Sequence, residues 1–148
     1  NAEAPMVIAA RLFEAGAFTP KAAIAFIASL SHFTGYPGAA AYAASKDALA
    51  IYASSMRKVA AARGVSITVA FPGPLRTAHA ETYAPEGADP SRRMEPDLAA
   101  GLILADVLSG KKTSIPGGAN RLAAIAGRIL PKPMTGLMRR LVYDRLKR

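Results

Sequence analysis

Two short apolar runs flank one long alanine-rich segment, and this order constrains the fold more than any other feature of the chain. The runs are AAIAFIA (residues 22–28) and VSITVAF (residues 65–71). Each has the length of a strand and the continuous apolar sequence typical of strands buried on both faces of a parallel sheet. Residues 39–63 are predicted to be a helix that ends at Gly64. Strand, helix, strand predicts an α/β fold with a right-handed crossover.

The remaining segments extend this series. Residues 3–15 have apolar side chains at helical spacing and are predicted to form a helix that ends near Gly16. Residues 75–94 are polar and irregular, as expected of a loop. Glu95-Pro96-Asp97 begins a helix that ends at Gly110, and residues 113–116 are a candidate third strand. Residues 119–130 and 134–148 are predicted to be helical, with a break at 131–133.

The composition excludes several classes of protein. With 148 residues, 51% hydrophobic and 20% charged, the chain has the size and composition of one globular domain. It has no cysteine, which excludes disulfides and cysteine-based zinc sites. His32 and His79 lie far apart, so we predict no metal site. The longest apolar run is too short to cross a bilayer and no secretory leader opens the chain, so a cytoplasmic location is expected.

The positive charge is concentrated near the C-terminus. The formal net charge is +9, and residues 132–148 contain six cations and one acid, Asp144. A solvated helix face is the favoured interpretation, with an anionic membrane, an acidic partner or nucleic acid as alternatives. Nucleic acid is the weakest of these because no basic–aromatic interleaving or known reader motif is present, so no nucleic-acid partner is expected.

The same segment contains an apolar stripe that predicts an amphipathic helix. We expect this helix to pack over a substrate opening or a partner subunit, with binding to a membrane surface as the minority interpretation. The stripe comprises Met134, Leu137, Met138, Leu141, Val142 and Leu146.

Tyr42 and Lys46 are four residues apart on the predicted long helix, so they lie on one face, about 6 Å apart along the axis. A nearby ammonium group stabilises a phenolate and lowers the pKa of a tyrosine. A phenol tuned in this way can act as a general acid and base. The pair is weak evidence by itself, because a tyrosine and a lysine often fall at this spacing by chance.

The sequence around Tyr42 and Lys46 makes the evidence for this pair stronger. Ser29 ends the first apolar run and precedes Tyr42 by 13 residues, whereas Ser31 precedes it by 11. Residues 42–49 read YAASKDAL, and residues 72–77 read PGPLRT after the second run. In order and spacing, these features closely resemble the short-chain dehydrogenase/reductase family. That family has a serine at the same 13-residue spacing, the wording YxASKxAL and the motif PGxxxT.

The resemblance implies a role for each matching residue. Tyr42 would protonate or deprotonate the substrate oxygen, and Ser29 would hydrogen-bond that oxygen. Lys46 would lower the pKa of Tyr42 and bind the nicotinamide ribose. Asn1 falls 28 residues before Ser29 and would be the fourth catalytic residue. The residues expected at the nicotinamide end of the cofactor are Pro72, Gly73, Leu75 and Thr77, together with Tyr42 and Lys46.

Each of these residues also has a simpler interpretation. Taken singly, Ser29 could cap a strand, Tyr42 could be a half-buried helix aromatic and Lys46 a surface cation; their joint occurrence favours the catalytic interpretation. Phe33 and Tyr36 are candidates for the substrate pocket, with aromatic packing in a loop equally plausible. The two histidines are expected to be loop residues rather than catalysts.

The resemblance covers residues 1–118 and omits one half of the family's domain. The sequence contains no GxxxGxG, the motif that binds the cofactor pyrophosphate in this family. The resemblance therefore implies a Rossmann-like, doubly wound parallel sheet present only as its C-terminal half, with residues 119–148 as a basic helical extension. Half of such a sheet is expected to expose a strand edge and an apolar face.

The resemblance implies a short-chain NAD(P)-dependent dehydrogenase/reductase that interconverts a hydroxyl and a carbonyl. The choice between NAD and NADP stays open, as does the identity of the alcohol or ketone substrate. The helices of residues 3–15 and 39–63 match those through which members of this family commonly pair their subunits. The resemblance therefore implies a homo-oligomer. The alternative is a non-catalytic remnant that acts through protein or membrane-surface contacts.

Overall fold

In a computed structural model, residues 1–16, 18–82, 84 and 87–145 are described, and within them the strands form one parallel sheet. Three strands are present in this part of the chain, in the order β1 (Ala23–Ile27), β2 (Ser66–Ala70) and β3 (Thr113–Ser114). Ala23 pairs with Ser66 and Ile27 with Ala70, while Ala70 pairs with Ser114 on the other side. The predicted α/β class and parallel sheet are confirmed.

The helices follow the predicted order closely. Gly16 and Gly64 have φ of 66° and 70°, the left-handed conformation in which glycine ends a helix at low cost. The helices described are α1 (Glu3–Ala15), α2 (Ser31–Thr34), α3 (Ala40–Ala61), α4 (Ala78–Thr82), α5 (Pro96–Leu108), α6 (Gly118–Ile129) and α7 (Pro131–Leu141).

The core lies between α3 and the sheet. Phe26 of β1 packs edge-on against Tyr52 of α3, with ring centroids 5.8 Å apart. Leu49 on α3 and Val69 on β2 are fully buried in the same apolar cluster. Lys46 and Tyr42 lie at the beginning of α3, so this packing fixes their position relative to the strand ends.

The prediction that the first strand is buried on both faces was wrong. Phe26 is buried, but Ala23, Ala25 and Ile27, which alternate with it onto the other face, are exposed. Ile27 is 44% exposed. Among the described residues β1 has a neighbouring strand on one side only, and α5 packs against it in addition to α3 without burying Ile27. The expectation of an exposed strand edge is therefore confirmed, whereas the apolar face of β1 is only partly uncovered.

Several predicted loops contain short helices. Helix α2 interrupts the loop after β1, and α4 lies within the predicted loop of residues 75–94. In addition, α7 begins at Pro131 rather than after the 131–133 break, because proline is tolerated in the first turn of a helix. The predicted apolar stripe is helical only as far as Leu141, and Leu146 lies outside the described residues.

Among the described helices, none combines the length and the apolar character needed to cross a lipid bilayer.

Candidate active site

The ends of β1 and β2 are joined by backbone hydrogen bonds, and Ser29 lies between two of them. The amide of Ala28 donates to Ala70 at 2.8 Å, and the amide of Leu30 donates to Pro72 at 2.9 Å. The Ser29 hydroxyl accepts a hydrogen bond from the Ser31 amide at 3.2 Å. Ser29 and the Pro72 turn therefore share the carboxyl edge of the sheet, where open α/β sheets bind their ligands.

Lys46 connects α3 to this edge. Its Nζ atom donates to the carbonyl oxygen of Ile27 at 2.9 Å, two residues before Ser29. The same atom lies 6.0 Å from the centre of the Tyr42 ring. Partial burial lowers the pKa of Lys46, because the charged ammonium group loses hydration. The predicted spacing thus brings a partly desolvated cation next to a phenol ring at the end of β1.

Tyr42 is accessible from solvent. Its side chain is 39% exposed. Tyr36, from the loop before α3, packs edge-on against it with ring centroids 6.0 Å apart. A substrate oxygen could therefore reach the phenol from outside the protein, alongside the Tyr36 ring that the sequence proposed as a pocket residue.

Asn1 lies near Lys46 rather than in a distant part of the fold. Both residues line a depression of about 410 Å³ along the open side of β1, together with Ile27. Asn1 precedes α1, and its role as a fourth catalytic residue stays a prediction.

The Pro72-Gly73 turn packs against α6. A Cβ atom on Gly73 would lie 2.7 Å from Cγ of Asn120, so only glycine fits this position without displacing Asn120. The Nδ2 atom of Asn120 donates to the Pro116 carbonyl at 2.7 Å, which holds the side chain in place.

The remaining residues of the PGPLRT motif are held by the segment that follows. Leu75 forms an isolated parallel bridge with Met94. The Thr77 hydroxyl accepts a hydrogen bond from the Ala80 amide at 3.1 Å, and so caps the start of α4. The Thr77 hydroxyl proton stays available for a further acceptor.

Asn120 lies next to the candidate site, and it was not predicted from the sequence. It lies in the region assigned to a basic extension, and no local motif indicates its contact with Gly73, 47 residues earlier in the chain. The only available signal was an asparagine in the first turn of a helix after Pro116-Gly117. The division of the chain at residue 118 stays a prediction, and α6 packs directly against the site.

The histidines do not join this constellation. His32, expected in a loop, lies in α2, where Nδ1 is 3.1 Å from the Asp47 carboxylate. Its ring packs against Phe71 and Phe33, with centroid distances of 5.1 and 4.7 Å. Phe33 is buried in the core rather than lining a pocket. His79 lies in α4, and its side chain is outside the described set. Within the described residues, no three His, Asp or Glu side chains are grouped as metal ligands.

Comparison with known proteins identifies the family. The model of the short chain dehydrogenase family matches residues 1–87, more than half of the chain. The chain belongs to the short-chain dehydrogenase family. The matched range includes all of the predicted site residues, from Asn1 to Thr77. No curated protein sequence matches the chain.

Solved structures of short-chain dehydrogenases share the fold. A short-chain dehydrogenase from Burkholderia cenocepacia in complex with NADP matches 80% of this chain and 47% of its own, at 19% identity and a TM-score of 0.67. One from Sphingobium yanoikuyae in complex with NADPH matches 88% and 48%, at 23% identity and a TM-score of 0.58. The 3-hydroxyacyl-CoA dehydrogenase type-2 from Mycobacterium avium matches 77% and 50%, at 23% identity and a TM-score of 0.59. The present chain therefore spans about half the length of these proteins, and the fold is that of part of a Rossmann-like domain.

Proposed function

We propose that the chain is the catalytic part of an NAD(P)-dependent oxidoreductase that interconverts a hydroxyl and a carbonyl. The observation that carries the proposal is the position of Lys46, 6.0 Å from the Tyr42 ring and bonded to the end of β1. Ser29 lies two residues beyond this bond. A phenol, a hydroxyl and an ammonium group at one sheet edge are the groups needed to bind and protonate an oxygen atom.

In the proposed reaction, Tyr42 exchanges a proton with the substrate oxygen. The Ser29 hydroxyl already accepts from the Ser31 amide, so its own proton is free to hydrogen-bond the same oxygen. Lys46 uses one of its three N–H groups on Ile27, which leaves two for other acceptors. Its charge lies close to the ring that would carry negative charge during proton transfer. A bound nicotinamide cofactor would supply or accept the hydride.

The residues present fit the nicotinamide end of such a cofactor. Lys46 offers donors for ribose hydroxyls, and the Thr77 hydroxyl and the backbone after Gly73 offer groups for the carboxamide. The proposed set is Tyr42, Lys46, Pro72, Gly73, Leu75 and Thr77. The NADP and NADPH bound in two of the similar structures support this class of cofactor. The choice between NAD and NADP stays open.

The proposed substrate is a small alcohol or ketone. Its binding site would be bounded by Tyr36, beside Tyr42, and by Asn120, against the Pro72-Gly73 turn. Met94 lies next to the same turn, since it pairs with Leu75. These residues are not among the proposed catalytic residues, and we propose that they select the substrate.

A matched pair of lysine variants tests the cofactor site. In protein expressed from the complete reading frame, Lys46→Met is expected to weaken the binding of NADH or NADPH in a fluorescence titration by tenfold or more, because charge-assisted hydrogen bonds contribute roughly 1.5–3 kcal/mol. Lys58→Met removes an exposed lysine from the same helix and is expected to leave binding unchanged. Equal affinity of the two variants would contradict the assignment of Lys46.

A second candidate is a non-catalytic protein that acts through its exposed surfaces. The unpaired edge of the described β1 favours it, because an open strand edge can pair with another chain. The 148 residues alone are expected to bind neither NADH nor NADPH detectably, because the loop that binds pyrophosphate is lacking. Adding a nucleotide-binding segment is expected to restore binding under the oxidoreductase proposal, and to leave it undetectable under the second.

We also propose a homo-oligomer that pairs through α1 and α3. Both helices expose apolar side chains outside the depression beside β1: Val7 on α1, and Ile51 and Val59 on α3. Such unpartnered apolar side chains are typical of subunit interfaces. Light scattering during size exclusion tests this proposal: Val7→Lys or Ile51→Lys is expected to reduce the mass to that of a monomer. A cytoplasmic location stays a prediction.

A further inference from the structure

The solvent-facing side of α6 is apolar. Leu122, Ile125 and Ile129 are 69%, 54% and 71% exposed, and their spacing places them on one helix face. The opposite face is fixed to the protein: Ala124 is buried, and Gly127 is so close to the Phe33 backbone that no Cβ atom would fit. The orientation of α6 is therefore set by packing, and its three large apolar side chains point outward.

The apolar surface continues into α7. Leu130, Leu137 and Leu141 are about half exposed, whereas Met134 and Met138 are turned partly inward. We refer to Leu122, Ile125, Ile129 and Leu130 as the α6 patch. Surface patches of this kind mark sites where a protein meets a partner or a membrane, because exposing several large apolar side chains to water is unfavourable.

The helices that carry the α6 patch and its continuation are rich in cations. Residues 118–145 contain six cations and a single acid, Asp144, which lies 3.6 Å from Arg139. Arg121 and Arg128 precede Leu122 and Ile129 by one residue each, so both lie along the same flank of the apolar face. The six cations are Arg121, Arg128, Lys132, Arg139, Arg140 and Arg145.

We propose that the α6 patch and its flanking cations form a peripheral docking surface for an anionic lipid bilayer. An apolar helix face bordered by arginine and lysine suits the boundary between acyl chains and anionic headgroups. A second copy of the chain would bring like charges together around the patch. A nucleic acid would neutralise the cations but leave the apolar centre uncovered.

Helix α5 provides an internal comparison. It also exposes leucines, among them Leu108 at 78%, but residues 96–108 contain two acids and no cation. One of these acids, Asp106, is buried and paired with Lys111, so α5 offers no cation of its own to attract an anionic surface. Exposed apolar side chains occur on both α5 and α6, so exposure alone does not distinguish these helices. The combination of exposed apolar side chains with positive charge distinguishes α6.

Vesicle flotation with the 148-residue chain tests the proposal. Vesicles of equimolar phosphatidylcholine and phosphatidylserine are expected to bind the chain, and phosphatidylcholine vesicles are not. Binding should be lost at about 1 M salt, where the Debye length is ~3 Å. Lys132→Gln/Arg140→Gln is expected to weaken binding about thirtyfold, since each cation near an anionic surface contributes about 1 kcal/mol. Lys58→Gln/Lys112→Gln removes the same charge elsewhere and should have little effect.

A fluorescent probe tests which face makes contact. The chain contains no tryptophan, so a single one reports its own surroundings. Ile125→Trp is expected to shift its emission to shorter wavelength when the mixed vesicles are added, because the indole leaves water. Leu108→Trp on α5 is the matched control and is expected to show no shift.

The outcomes separate the candidate occupants. Salt-sensitive binding to the mixed vesicles with a shift at Ile125→Trp alone supports the proposal. Absence of vesicle binding, equal binding to both vesicle types, or equal shifts at positions 125 and 108 would overturn it. A shift at Ile125→Trp that follows protein concentration without lipid, with a matching rise in mass by sedimentation, would overturn it in favour of a second copy.

Discussion

Lys46 lies one helical turn beyond Tyr42 on α3, with its Nζ atom 6.0 Å from the centre of the Tyr42 ring. A hydrogen bond to the Ile27 carbonyl holds Lys46 at the end of β1. The lysine thus links the helix that carries the phenol to the strand that leads into Ser29. The price of this position is partial loss of hydration around a charged group.

This loss of hydration predicts a pH dependence. Burial lowers the pKa of Lys46 in the folded protein from its ordinary value of 10.5. Between the folded and unfolded pKa values, the unfolded chain binds more protons, so the free energy of unfolding rises with pH in that window. The destabilising contribution of Lys46 is therefore full below its folded pKa and is relieved as the pH rises towards 10.5.

Lys46→Met should remove this contribution. Relative to the variant, the wild-type chain is expected to gain stability between neutral and alkaline pH in urea unfolding. Lys58→Met, which removes an exposed lysine, is expected to follow the wild type. Parallel pH profiles for wild type and Lys46→Met would contradict the desolvation of Lys46.

Asp106 anchors the turn between α5 and β3. Its pKa is held below the ordinary value, first by a hydrogen bond from Lys111 at 2.5 Å and then by one from the Ser114 hydroxyl at 2.7 Å. The stability that this carboxylate contributes is present above its unfolded pKa and is lost as the pH falls through the folded value.

Asp106→Asn is expected to destabilise the protein by roughly 1.5–3 kcal/mol at neutral pH, because the amide N–H₂ group faces one of the two donors. Asp97→Asn, an exposed position on the same helix, should cost less than about 1 kcal/mol. Urea unfolding measures both. The wild type should also lose more stability on acidification than Asp106→Asn does, and the same loss in both would count against the role of Asp106.

Substitution by alanine is expected to have opposite effects at two helical glycines. A Cβ atom on Gly127 of α6 would overlap the Phe33 carbonyl group, whereas nothing lies within 4 Å of one on Gly101 of α5. Gly127→Ala is expected to destabilise by about 1–3 kcal/mol through overpacking. Gly101→Ala is expected to stabilise by about 0.5–1 kcal/mol. Thermal unfolding of both variants decides, and a stabilising Gly127→Ala would mean that α6 is not seated on α2.

The contact between Gly73 and Asn120 predicts coupling between the nicotinamide turn and α6. Gly73→Ala is expected to destabilise the wild type, since its Cβ atom would lie 2.7 Å from Asn120 Cγ. In an Asn120→Ala background the same substitution should cost less. A double-mutant cycle in urea is expected to give a coupling of about 0.5–3 kcal/mol. Additive effects would show that the two residues do not touch.

Local patterns in the sequence were sufficient to predict β1, β2, α3 and the Tyr42–Lys46 pair, because each depends on residues close together in the chain. The contact between Gly73 and Asn120 depends on how α6 returns to the sheet, which no local pattern encodes. The exposure of Ile27 was not predicted, because an apolar strand sequence indicates which residues tend to be buried. It does not show whether another element of the fold covers them. Helix α2 was missed since its four residues form too short a segment for helical periodicity.

We propose that Tyr42 transfers the proton during oxidation and reduction. The decisive measurement is kcat in protein expressed from its complete reading frame. The substrates are a panel of secondary alcohols, with NAD or NADP as the hydride acceptor. Tyr42→Phe is expected to lower kcat by at least about a hundredfold, the usual contribution of general acid–base catalysis. Tyr52→Phe, ten residues further along α3, is the matched control and should retain kcat. Near-normal turnover by Tyr42→Phe, where the wild type and the control are active, would contradict the account.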